Sequence, residues 1–184
     1  MNHTISKPLI WIDCEMTGLD PSVDCIIEIA TIVTDSELNI VAEGPELAVR
    51  RPKELLDRMD EWNTKHHTAS GLVERVLNSD VGIEDADRMT FEFIAQYCDP
   101  RVAPLCGNSI WQDRRFIEME MPLTAGHLHY RNVDVSSFKE MARRWYPGLD
   151  IYKKENQHRA LDDIRESIEE LRYYRRTIFR DAPG

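Results

Sequence analysis

The sequence predicts an α/β protein of three layers: a central mixed five-stranded sheet flanked by helices. Three observations lead there. β-rich apolar runs come first along the chain, and strands then alternate with helical stretches. The first run is nearly continuously apolar, as in a strand covered on both faces. The last long segment carries Leu161, Ile164, Ile168 and Leu171 on one helical stripe, suited to packing on a sheet.

In order, PLIWIDC (8–14) is the buried strand. IIEIATIVTD (26–35) and LNIVAEG (38–44) follow across a short polar break and read as a hairpin. From 52 to 98 the pattern turns helical, with Met89, Phe93, Ile94 and Tyr97 on one face. VAPLCG (102–107) is a further buried strand, followed by a helix over 111–121. NVDVSS (132–137) is a short strand ending in a potential helix cap. Helices over 136–146 and 158–179 complete the chain.

At 184 residues the chain is expected to form a single domain, 1–184, with 1–7 and 180–184 as flexible ends. Such a length buries about two-thirds of the unfolded surface, so no disulfide or metal is needed for folding. Hydrophobic residues at 42% and charged residues at 30% exclude disorder, collagen and coiled coil. No apolar run approaches the roughly 20 residues that span a bilayer, and the start lacks a signal-peptide pattern. The expected location is the cytoplasm, without membrane association. Cys14, Cys25, Cys98 and Cys106 form no CxxC or zinc spacing and read as small hydrophobes. The net charge of −10 argues against a binder of long duplex nucleic acid, which needs a basic face. It leaves room for a nucleic-acid enzyme whose carboxylates hold cations. Residues 143–184, with 10 basic and 8 acidic side chains, form the mildly basic end.

Three places carry candidate chemistry. Asp13 and Glu15 are two apart on a strand and so share a face. Two carboxylates on an apolar strand call for a hard cation such as Mg²⁺ or Mn²⁺, unless the strand is a solvated edge. Asp113 falls in the first turn of a helix leaving the sheet, either a ligand position or a partner of the helix dipole. Asp163 lies beside the apolar stripe of the last helix, while Asp162 points away. His158 reaches the same place if it lies on the loop before that helix; otherwise it is structural or exposed. Together these residues suit a two-metal phosphoryl-transfer site with a histidine base.

The order D-x-E, D, H-x-x-x-x-D resembles that of the DEDDh 3′→5′ exonucleases, which have an RNase H-like fold. IWIDCEMTGLDP, IIEIATIVTD, EGPELAV, HTASGLVERV, CGNSIWQDRRF, DVSSFKEMARRW and HRALDDIRES resemble the oligoribonuclease family, from about residue 8 to 179. The stretch between 82 and 104 is less family-specific. The resemblance implies that Asp13, Glu15, Asp113 and Asp163 hold two divalent cations, Mg²⁺ or Mn²⁺, with His158 as general base. It implies that Leu19 and Trp62 stack on or wedge the bases of a dinucleotide, with His67 near the same pocket. Ser109 and Ser136 resemble the caps on the 5′ phosphate. Tyr130 and Arg131, expected on a loop between elements, resemble residues supplied by the other subunit of a homodimer. Trp111 departs from the pattern, which has a small residue there; it narrows the pocket edge or packs, and the sequence leaves both open. The implied activity is cleavage of di- to pentanucleotides of RNA to 5′-mononucleotides. The rivals are another DEDDh exonuclease, of proofreading or tRNA-trimming type, and a catalytically silent RNA-binding module.

Overall fold

The computed structural model describes residues 5–153 and 159–179. Five strands, β1 (Leu9–Met16), β2 (Ile26–Thr34), β3 (Ile40–Ala48), β4 (Pro104–Gly107) and β5 (His129–Asp134), form one sheet in the order β3-β2-β1-β4-β5. The β3–β2 and β2–β1 pairs are antiparallel, whereas β1–β4 and β4–β5 are parallel. This is the expected mixed five-stranded sheet. The β1–β4 ladder is short, pairing Ile10 with Leu105 and Trp11 with Cys106.

Alternation along β1 divides the core. Ile10, Ile12 and Cys14 face one side, where α4 (Ile83–Ile94) and α5 (Trp111–Glu120) supply Ala86, Ile94, Phe116 and Ile117, and α6 (Pro122–His127) adds the partly buried Ala125. Trp11 faces the other side, with Ala30, Ile32 and Cys106. There α7 (Val135–Trp145) and α8 (Ala160–Ile178) bring Val135, Ala142, Ile164, Ile168 and Leu171. The stripe read on the last helix is therefore the seam of α8 against the sheet. A smaller cluster of Cys25, Ile27, Leu56, Leu72 and Val76 packs α1 (Lys53–Leu56) and α3 (Leu72–Leu77) near the start of β2. All four cysteines are buried and free. Among the described residues, no helix is long and apolar enough to cross a membrane.

Several boundaries differ from the sequence reading. The stretch from 52 to 98 is four helices, with α2 (Glu61–Ala69) capped by the Asp60 carboxylate on the Asn63 N–H. β3 begins at Ile40, since Leu38 is a buried turn residue with φ of 69°. The strand then runs through Pro45 to Ala48, which an edge position permits. β5 starts at His129, so Tyr130 and Arg131 lie in an edge strand and not in a loop. Helix α6 has six residues, too few to show a periodic stripe. At the chain start, Ile5 donates its N–H to Tyr97 and packs on the first core. The rest of the expected flexible ends, residues 1–4 and 180–184, lie outside the described residues.

One buried charge stands out. Glu28 on β2 is fully buried, pairs in register with Glu15, and accepts from the Arg75 guanidinium of α3 at 2.5 Å. Its second oxygen has no hydrogen-bond partner among the described residues. Removing Arg75 would leave a carboxylate stranded in the core. Arg75 is itself partly exposed, so Arg75→Ala is expected to cost about 3 kcal/mol, the low end for a broken buried pair, in urea unfolding. The Arg75→Ala/Glu28→Gln double variant should regain part of that loss. A double variant as unstable as Arg75→Ala alone would refute this account.

Candidate active site

Beyond Trp11, β1 keeps its alternation but changes chemistry. Asp13 and Glu15 continue the face that Trp11 begins, and each is only half-buried. The first turn of α8 sits over that face, because its apolar seam packs on Trp11, Ala30 and Ile32. Asp163 is thereby carried to the two strand carboxylates. Oxygens of Asp13, Glu15 and Asp163 all lie within 4.8 Å of one another. Asp162, one residue earlier, turns away and pairs with Arg165 at 2.9 Å.

Asp113 arrives from the opposite side of β1. In the first turn of α5 it is almost wholly buried, and one of its oxygens accepts the Cys14 N–H at 3.0 Å. That bond docks the head of α5 on the segment between the two strand acids. Cys14 points into the core, where burial first and the surrounding acids second hold its thiol well above its usual range. It is no candidate ligand. His158 lies outside the described residues.

The crowding has an electrostatic consequence. Burial is the largest cause pushing Glu15 up to about 8; Asp163, Glu28 and Asp113 add to it, and Arg75 opposes. Burial also raises Asp113, against the opposing hydrogen bond from Cys14. The acids therefore resist full ionisation together near neutral pH unless a cation joins them. The donor set is carboxylate oxygen throughout, which fits a hard divalent ion.

The loop after β4 is tied to both flanking helices. Gly107 keeps that approach close, since a Cβ there would stand 2.8 Å from the end of the Ile110 side chain and 3.3 Å from the Ile12 carbonyl. Asn108 donates to Ser167 at 2.8 Å and to the fully buried Glu170 at 3.1 Å, both on α8. Ser109, at a φ of 51°, donates its N–H to Asp134 at 3.0 Å and to the Ser136 hydroxyl at 3.3 Å. Asp134 also caps α7 by accepting the Ser136 N–H. Ser109 and Ser136 are thus neighbours, joined by an aspartate that the sequence reading left out. Its signal was present in D-V-S-S, an acid two residues ahead of a serine at a helix start.

Leu19 and Trp62 line one groove of about 610 Å³, with Thr17, Gly18, Asp24 and Arg58 among its other walls. Both side chains are mostly exposed. Trp62 stacks on His66, with ring centroids 3.9 Å apart. His67 is buried instead: its Nε2 faces the Met16 carbonyl at 3.0 Å, and its Nδ1 stands 4.0 Å from Glu15. It braces the end of β1 more than it lines the groove. Tyr130 projects from the edge strand, with the Arg131 guanidinium 5.4 Å from its ring centre. Trp111 is exposed, with the Arg115 guanidinium 5.8 Å from its ring centre.

The RNase_T family, described as exonuclease, matches residues 10–171. A protein of Vibrio campbellii named oligoribonuclease is 60% identical over 94% of this chain and 96% of its own length. The chain belongs to the oligoribonuclease family. A Legionella pneumophila oligoribonuclease is likewise 60% identical, over 92% of this chain and 91% of its own. Among solved structures, exonuclease I from Methylocaldum szegediense superposes with a TM-score of 0.71 at 18% identity, a likeness of fold. The match covers 94% of this chain and 41% of that longer one. The sheet and its flanking helices are thus the RNase H-like fold, and the acid cluster fits the divalent-metal dependence of the exonuclease family.

The two neighbouring acids of α8 give a direct test. Asp163→Asn should weaken Mn²⁺ binding, measured by titration calorimetry, at least about tenfold, as loss of a carboxylate ligand does. Asp162→Asn should leave it unchanged. Equal effects would remove Asp163 from the site.

Proposed function

We propose that this chain is a 3′→5′ exoribonuclease that hydrolyses short oligoribonucleotides, dinucleotides above all, to 5′-mononucleotides in the cytoplasm. Residues 1–184 act as one exonuclease domain. The observation that carries this reading is the convergence of Asp13, Glu15 and Asp163 at the end of β1, two residues before the chain enters the Leu19–Trp62 groove. Oligoribonuclease relatives at 60% identity support it.

Asp13, Glu15, Asp113 and Asp163 would hold two divalent cations, Mg²⁺ or Mn²⁺. When bound, such a pair stabilises charge on the attacking and leaving oxygens of an in-line phosphoryl displacement. The remaining work falls to the chain. Leu19 and Trp62 take the bases and set the scissile phosphate against the acids. His158 accepts the proton of the attacking water at an imidazole nitrogen as the water's oxygen bonds to phosphorus. The bond to the 3′ oxygen of the preceding nucleotide breaks, and that oxygen takes a proton from solvent water as it leaves.

Ser109 and Ser136 receive the 5′ phosphate. The Ser109 N–H is engaged by Asp134, so its hydroxyl is the group on offer. The chain acts as a homodimer in which Tyr130 and Arg131 of one copy close the other copy's pocket. Arg131 suits a phosphate because its planar fork donates in pairs. A capped pocket of this kind favours the shortest RNA and fits the net charge of −10, since a dinucleotide needs no basic track.

A length series tests the reading. With Mg²⁺, kcat/KM should be highest for a 5′-phosphorylated dinucleotide, fall steeply as length grows, and vanish with a chelator. A flat profile makes the chain a general exonuclease, and no turnover at any length leaves an RNA-binding module.

Arg131→Ala should weaken dinucleotide binding roughly ten- to hundredfold, the cost of one charge-assisted contact. Mixed with an Asp13→Ala chain, it should regain one working site per heterodimer. If subunits exchange and no activity returns, Arg131 does not act across an interface.

A further inference from the structure

Leu19 is 71% exposed, yet the backbone around it is fixed from two sides. From within, residues 17–25 brace one another. The Thr17 N–H reaches the Cys25 carbonyl at 3.0 Å, and the Cys25 N–H returns to the Thr17 hydroxyl at 3.1 Å. The Asp20 N–H reaches the Asp24 carboxylate at 3.0 Å, and the Asp24 N–H reaches the Asp20 carbonyl at 2.8 Å. Gly18 lets that carboxylate close in; a Cβ there would lie 2.4 Å from it. An exposed apolar side chain on so closed a turn is held out, not left loose.

From outside, α5 holds the Leu19 carbonyl. The Gln112 amide donates to it at 2.6 Å, and Arg115 donates at 3.5 Å. Arg115 also donates to the Gln112 oxygen at 3.0 Å, which orients the amide with its N–H₂ toward Leu19. The Arg115 guanidinium in turn lies near the Trp111 ring. Trp111, left open between narrowing the pocket and packing, thus backs the arginine. Gln112 is buried and precedes Asp113 directly, so one helical turn fixes both Leu19 and an acid bonded to β1.

We propose that Gln112 and Arg115 are positioning residues that lock Leu19 at a set distance from the acid cluster, and so determine preference for a substrate with two bases. This rests on the reading that Leu19 contacts the bases. Loss of the tether leaves the leucine present but mobile, and the substrate that needs it most suffers most.

The test compares kcat/KM for a dinucleotide, which has two bases, with that for the p-nitrophenyl ester of thymidine 5′-monophosphate, which has one. Gln112→Met keeps the side chain's length and removes its hydrogen bonds. Arg115→Met alters an exposed residue and so provides a folded variant even if Gln112→Met is unstable. Either change should lower the dinucleotide-to-ester ratio about tenfold, the worth of a lost hydrogen bond at a binding group. Amide hydrogen exchange over residues 18–24 should quicken while β1 and β2 keep their protection. Leu19→Ala should lower the same ratio, and Leu19→Ala/Gln112→Met should fall no further. If Leu19→Ala lowers the ratio but the tether variants reduce both substrates equally, or neither, the positioning role is wrong while the base contact stands. If the Gln112→Met effect persists in full without Leu19, Gln112 acts by another route. If Leu19→Ala leaves the ratio unchanged, the base contact itself fails, and the proposal with it.

Discussion

The structure is organised by the cost of placing several carboxylates at the end of a buried strand. β1 must be apolar for most of its length to sit at the centre of the sheet, and it must then present acids without leaving the sheet. Alternation solves the geometry: Trp11, Asp13 and Glu15 share one face, and the step from core to chemistry takes two residues. The electrostatic cost remains, visible in the raised Glu15. Helices α5 and α8, the Arg75–Glu28 pair and the loop after β4 are arranged around that cost. Arg75, paired with Glu28 on the neighbouring strand, lowers it.

The same constraint decides what was legible in the sequence. Asp13 and Glu15 could be placed together because a strand's period is two, and Asp163 could be separated from Asp162 because the α8 stripe fixed its rotation. Those arguments use local periodicity, which the sequence carries. The neighbours that brace the site are set by contacts between distant segments. Asp134 reaches Ser109 across 25 residues, and Gln112 reaches Leu19 across 93; no repeat or spacing announces either. His67 illustrates the limit: the motif brought it near the site, but its burial behind Glu15 depends on how α2 meets β1.

Element boundaries failed for equally physical reasons. Leu38 opens the run LNIVAEG and so read as strand, but its left-handed backbone belongs to a turn held by Asp35, which accepts the Glu37 and Asn39 N–H groups. Tyr130 and Arg131 read as loop because they fall just before NVDVSS, between two elements, yet β5 begins at His129 and an edge strand asks only one side of its backbone to pair. In both cases the neighbouring run of sequence pointed one way and the backbone pairing the other.

The shortness of the β1–β4 ladder has a larger meaning. β1 has eight residues and β4 only four, and they pair at just two registers. Past Trp11 the flank of β1 has outrun its parallel neighbour, leaving a notch in the sheet where an N–H would face no strand. Asp113 plugs that notch by accepting from Cys14. The site is thus a consequence of unequal strand length as much as of acidic side chains. Carrying the same register on to Cys14, opposite Ser109, would zip the notch shut, satisfy Cys14 with a carbonyl, and evict Asp113, all without altering a single carboxylate.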